Sequence, residues 1–179
     1  MNKSFYIISC IMIVHQTSTT MEIHPIEKHQ VEAVRTIIID AVLELNIIPN
    51  LNKIELLATG ELDDLDHIES VYTHKRGVFL VITENGTVIG MGALKYFDEQ
   101  TCELRRMFFK KEYRGKGLGS HMLAILLEHA KKLRYTKIRL DVYNPSTQGS
   151  AIKLYKKFGF YEIEAYKACR AKLFMEKTL

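Results

Sequence analysis

The stretch Arg114-Gly115-Lys116-Gly117-Leu118-Gly119 decides how this chain is read. Its alternating glycines lead into a run where Met122, Leu123, Leu126, Leu127 and Ala130 recur at the spacing of one helix face. Glycine lets the backbone turn tightly and brings N–H groups close to a ligand. The first turn of a helix carries unpaired N–H donors and a partial positive charge. A glycine loop feeding a helix is therefore an anion site suited to a pyrophosphate, and Arg114 and Lys116 add charge. The loop lacks the Gly-Lys-Ser/Thr ending of a P-loop and the G-x-G-x-x-G spacing of a dinucleotide fold. By itself the motif is short, and a plain glycine-rich turn reads the same way.

The flanking pattern supplies the fold class. Upstream, 77–83 is β-rich, Asn85-Gly86 is a strong hairpin signal, and 87–96 and 101–109 continue an antiparallel meander. Before it, 22–26 reads as a strand. Residues 27–45 read as an amphipathic helix, with Val31, Val34, Ile38, Val42 and Leu45 on one face. Residues 52–72 read as a second, less regular helical region interrupted at Gly60. Downstream, a helix over 118–133 precedes a strand over 137–143. A turn at 145–148, a short helix over 150–158 and strands over 160–166 and 171–177 follow. The expected fold is α+β: a mixed, mostly antiparallel central sheet of about 6–7 strands flanked by helices.

Composition bounds the partners. The chain has 179 residues, the size of one domain, and a formal net charge of +4 with a pI near 8.9. The basic residues Arg105, Arg106, Lys110, Lys111, Arg114 and Lys116 cluster beside the glycines. They suit an anionic small molecule at least as well as DNA, so no nucleic-acid partner is expected. Cys10, Cys102 and Cys169 lack disulfide or zinc spacing, and the histidines do not cluster, so no metal is expected. Ser120 and Ser150 have no partner pattern for a nucleophile. The apolar run 5–14 is too short to span a bilayer and has no small-x-small cleavage site after it. We read 1–20 as an N-terminal extension or the product of an upstream start codon, with an export signal as the alternative, and 21–179 as the domain. Reduced thiols and the lack of a span point to the cytoplasm.

Residues 101–160 resemble the core of the GNAT (GCN5-related) N-acetyltransferases. That family carries Arg/Gln-x-x-Gly-x-Gly/Ala after its fourth strand, matched here by residues 114–119. It also commonly carries Leu-Tyr-x-x-x-Gly-Phe further on, matched by Leu154-Tyr155-Lys156-Lys157-Phe158-Gly159-Phe160. The order of elements from Met21 agrees, so the resemblance covers about 21–179. It implies the acyl-CoA N-acyltransferase fold, acetyl-CoA as the acetyl donor, and direct transfer of acetyl to a primary amine in a ternary complex. The backbone of Gly115, Lys116, Gly117, Leu118, Gly119 and Ser120 would hold the pyrophosphate beside Arg114. The backbone of Met107 and Phe109 would pair with the pantetheine arm. Gln148 stands where many members have Asn, and Asn144 is a substitute for that contact. The acceptor is a small-molecule or peptide amine, and a homodimer is a family-level expectation.

Two catalytic residues follow. Tyr155 aligns with the family tyrosine that protonates the CoA sulfur; the alternative is a packing aromatic. Glu103 is the candidate base, directly or through a water; the alternative is an ion pair with a neighbouring Arg. In a regular strand Glu103, Arg105 and Met107 share a face. Asp141 and Tyr143 are weaker candidates. The acidic run Glu61, Asp63, Asp64 and Asp66 reads either as a site for a cationic acceptor or as a solvated helix face. A non-catalytic acyl-CoA-binding regulatory module of the same fold is the alternative function.

Overall fold

The computed structural model describes residues 20–179, so the reading of 1–19 as an extension lies outside the described residues. The strands are β1 (Met21–Pro25), β2 (Val78–Glu84), β3 (Thr87–Tyr96), β4 (Thr101–Phe109), β5 (Lys137–Val142), β6 (Tyr161–Ile163) and β7 (Leu173–Thr178). The α-helices are α1 (Val31–Glu44), α2 (Lys53–Ala58), α3 (Leu118–Lys132) and α4 (Gly149–Lys157). The strands form one seven-stranded sheet in the order β1-β2-β3-β4-β5-β7-β6. Every pairing is antiparallel except β4 with β5. None of the described helices is long and apolar enough to cross a membrane.

The apolar periodicity accounts for the layers. On one side of the sheet, Met122, Leu123, Leu126 and Ala130 of α3 are completely buried against Leu94, Leu104 and Ile138. On the other, Val34, Ile37, Ile38 and Val42 of α1 pack on Val81, Met91 and Ala93. Each such fully buried aliphatic side chain stabilises the fold by roughly 1.5–3 kcal/mol before entropy is counted. β2 and β3 are nearly continuously apolar because both of their faces are covered.

Two expectations change. The region 52–72 is not one helix. α2 ends at Ala58, Gly60 turns with φ +72°, and single turns at Asp63–Leu65 and Glu69–Thr73 follow. The reason is the second change. Arg106 has φ +54° and sits in a β-bulge where β4 gains a residue over β3, between the pairs Met91–Phe108 and Ala93–Arg105. Its guanidinium is buried. Nε and Nη2 donate to the two Asp64 carboxylate oxygens at 2.9 and 2.6 Å, and Nη2 also donates to the Glu61 carbonyl. Tyr72 donates its hydroxyl to the same Asp64 carboxylate. The acidic run is thus neither a substrate site nor a solvated face at Asp64, but the partner of a buried arginine. A continuous helix would carry these acceptors past it.

The bulge also shifts the strand's alternation. Leu104, Met107 and Phe109 pack on the α3 side, whereas Phe108 packs on the α1 side. Met107 therefore does not share a face with Glu103 and Arg105, as regular alternation would require. β6 is shorter than 160–166 because Tyr166 and Lys167 leave the sheet edge to bond Glu103. Replacing Arg106 by Met strands the Asp64 carboxylate, and replacing Asp64 by Ala strands the guanidinium. Each is expected to lower unfolding free energy by about 3 kcal/mol, read as a shifted urea midpoint with an unchanged m-value.

Candidate functional site

β4 and β5 pair only at Thr101–Lys137, Cys102–Ile138 and Glu103–Arg139. Beyond Glu103 the strands diverge, and a gap opens between them in the middle of the sheet. Lys110 donates its N–H to the Ile89 carbonyl (2.9 Å), and Met91 pairs with Phe108. Backbone groups of Met107 and Phe109 consequently point away from β3, toward the gap. The Phe109 carbonyl is already occupied by Arg114 Nε at 2.9 Å.

A groove of about 520 Å³ runs from this gap over the start of α3. Its walls include Met107, Phe109, Arg114, Gly115, Gly117, Gly119, Ser120 and Gln148. Gly115 and Gly117 have φ of +74° and +86°, which other L-residues rarely adopt, and a Cβ on either would meet no atom within 4 Å. Among the described residues, the N–H groups of 115–120 find no backbone or side-chain acceptor; the helix's first recorded bond is His121 N–H to the Gly117 carbonyl, 3.1 Å. Gly117 supplies no side-chain cap. A row of unpaired donors at the positive end of a 15-residue helix is an anion site. Arg114 borders it, held by Glu44 at 3.1 Å. The Glu44 carboxyl lies below its ordinary range, chiefly through its bond with Lys111 and then the Arg114 charge, against some desolvation.

Three expected contacts fall elsewhere. Lys116 turns its ammonium over the Tyr113 ring, 5.2 Å from the centroid. Leu118 packs its side chain into the core, so only its backbone reaches the groove end. Asn144 is turned away: its Nδ2 donates to the Asn46 carbonyl (2.9 Å), and its Oδ1 accepts from Ser146. Gln148 does border the groove and accepts the Asn144 N–H (2.9 Å).

A second, smaller cavity of about 120 Å³ adjoins the first. Ile47, Met107, Phe108, Gln148, Ala151 and Tyr155 border both. Tyr155 is held by α4 at this junction, buried against Phe160, and its hydroxyl makes no hydrogen bond among the described residues. Burial, and next the Asp141 carboxylate, push that hydroxyl up to about 12. Arg105, Asp141 and Tyr143 face the small cavity; Glu103 does not line either cavity. Glu103 is 4% exposed and accepts from Lys167 (2.5 Å), Tyr166 (2.7 Å) and Arg105 (3.2 Å). Burial raises its pKa, but Arg105, Lys167 and Tyr166 outweigh this and hold it below the ordinary carboxylate range. Of the two readings of Glu103, the ion pair is what the geometry displays. Asp141, the weaker candidate by sequence, does line the cavity, together with the Glu61 carboxylate. Ile47 and Leu45, which also line the groove, gave no signal, because their apolar spacing reads as ordinary core.

Residues 45–160 match the model of the Acetyltransferase (GNAT) family. The chain belongs to that family. It is 33% identical over 106 residues to an uncharacterized N-acetyltransferase of Schizosaccharomyces pombe, covering 58% of this chain and 64% of that protein. The match thus spans less than two thirds of the relative's length. A GNAT acetyltransferase structure from Staphylococcus aureus superposes with a TM-score of 0.77 at 22% identity, over 89% of this chain and 99% of that one. An acetyltransferase of Salmonella typhimurium, solved with acetyl-CoA, gives 0.67 at 22% identity, over 89% and 94%. The fold of this GNAT chain is the one these structures share.

Because the folded pKa of Glu103 is depressed, its ion network stabilises fully above the ordinary carboxylate range. That stabilisation is lost as pH falls below about 4. A Glu103→Gln variant is expected to be less stable at pH 7 and to have a flatter loss of stability between about pH 5 and 2. Thermal midpoints across that range check it.

Proposed function

We propose that this protein is an acetyl-CoA-dependent N-acetyltransferase that moves acetyl to a primary amine by direct transfer in a ternary complex. The observation that carries this reading is the row of unpaired N–H groups at 115–120, opening on a groove that ends at Tyr155. The residues present fit acetyl-CoA. Backbone donors of 115–120 would take the pyrophosphate beside Arg114. Backbone groups of Met107 and Phe109 would take the amides of the pantetheine arm, and Gln148 borders its path. When bound, the group supplies an activated acetyl thioester.

Acetyl transfer forms a C–N bond as the C–S bond breaks. The amine gives up one proton and the leaving thiolate takes one. Tyr155 holds its proton at neutral pH and stands where the groove meets the small cavity, so it is the donor to the sulfur. Asp141 lines the cavity on the amine's side and is the acceptor for the amine's proton, directly or through water. Glu103 holds Arg105 and Lys167 in place rather than meeting the amine itself. The Acetyltransferase (GNAT) match over 45–160 supports the same activity. A cytoplasmic location agrees with the free thiols of Cys102 and Cys169.

Tyr155→Phe is expected to lower kcat roughly 10²-fold or more, with acetyl-CoA affinity nearly unchanged. Thiol-release kinetics and calorimetry separate the two, and an unchanged kcat removes Tyr155 from the acid role. Gly117→Glu is expected to abolish acetyl-CoA binding by calorimetry, since it puts a carboxylate and a strained φ at the anion site. Retained affinity would place the phosphate loop elsewhere. Binding without thiol release across a broad amine panel would leave a non-catalytic acyl-CoA-binding module.

A further inference from the structure

The small cavity beside Tyr155 carries opposite charges on its two strand walls, and this restricts what can enter. Arg105, on β4, uses only Nη1, in the 3.2 Å contact with Glu103. Its other N–H groups have no acceptor among the described residues, and none of its nitrogens is both sealed from solvent and unpaired. A guanidinium presents a planar fork that matches a carboxylate. On β5, the Asp141 side chain is only 9% exposed and neither oxygen accepts a hydrogen bond among the described residues. Oδ2 is completely buried; the Lys167 ammonium lies against it, but off the direction a hydrogen bond needs.

The other charged groups at this cavity are committed. Arg106 is bound by Asp64, and Glu61 accepts from the Tyr143 hydroxyl at 3.0 Å. What remains is the Arg105 fork, with N–H groups to spare beyond its Glu103 contact, and the Asp141 carboxylate, ion-paired with Lys167 through Oδ2 and with Oδ1 accepting no hydrogen bond among the described residues. Val42, Ile48, Leu56 and Leu62 supply an apolar part of the wall.

Resting on the transferase reading above, we propose that the acceptor is a free amino acid with a compact apolar side chain. Its carboxylate lies on the Arg105 fork, its amine lies between Asp141 and Tyr155, and its side chain lies on the wall formed by α1 and α2. A polyamine would bring a second ammonium toward Arg105 and Arg106. A peptide N-terminus or a lysine side chain would leave the Arg105 fork without its carboxylate, a loss like that of one partner of a desolvated pair.

The test uses the full-length protein with acetyl-CoA and follows thiol release. The panel holds the twenty amino acids, the carboxamide of each active one, spermidine and a lysine-containing peptide. Leucine, valine or alanine is expected to be the best acceptor, with kcat/KM roughly 100-fold or more above its carboxamide. Arg105→Lys keeps the charge but not the fork, and is expected to reduce that acid-to-amide ratio about tenfold. If the variant does not fold, the matched pair on the unaltered protein decides alone. A carboxamide used as well as its acid overturns the proposal, as does preference for spermidine or peptide, while the transferase reading stands. Acetyl-CoA binding with no thiol release from any acceptor overturns the transferase reading, and this proposal with it.

Discussion

The structure hangs on a buried arginine that must be neutralised. Arg106 lies under the α1–α2 region with its charge out of water, and such a charge is tolerated only when paired and hydrogen-bonded. Its partners are the Asp64 carboxylate and the Glu61 carbonyl, with Tyr72 completing Asp64. That requirement holds residue 106 at positive φ, keeps the bulge in β4, and fastens the irregular segment 59–73 to the sheet. The chain gives up a regular helix there to keep the pair.

The bulge has a consequence for the site. It lies where β4 has already parted from β5, whose pairing stops at Glu103–Arg139. Met107 and Phe109 then carry backbone groups with no strand to receive them, and their side chains turn to the α3 face. On that face α3 begins with its own unpaired N–H groups at the glycine loop. The unpaired N–H groups of the glycine loop thus meet, along one groove, backbone groups of β4 that no strand pairs, of which the Phe109 carbonyl accepts from Arg114. In the open groove these groups face solvent, and a ligand with polar groups of its own can pair with them.

The two cavities differ in what lines them. The groove is lined largely by backbone and glycine, which suits a ligand with a long polar arm. The small cavity is lined by side chains from β4, β5, α1 and α2, and its charges are arranged in pairs. Tyr155 stands between them because α4 follows β5 closely and packs its ring on Phe160. Tyr166 and Lys167 both bond Glu103, and this ties the β6–β7 connection to the sheet.

The sequence alone determined the parts that rest on local pattern. The hairpin at Asn85-Gly86, the faces of α1 and α3, the glycine loop and the Leu154–Phe160 element were all legible, because turn chemistry and apolar period act within a few residues. The family followed from two of these motifs in order. Only the tertiary structure decided which charged groups are free. Glu103, Asp64 and Asp141 are all acidic residues with a leucine beside them in the sequence, and nothing local distinguishes them. Asp64 is claimed by Arg106 forty-two positions away, Glu103 by Lys167 sixty-four positions away. Asn144, expected at the groove, is claimed by Asn46 across the fold. Hydrogen bonds and ion pairs of buried groups are allotted by distant partners, and a bulge of one residue is enough to exchange the faces of a strand. For that reason the glycine loop that borders the groove could be read from the chain, and the pairing of charges in the smaller cavity only from the folded molecule.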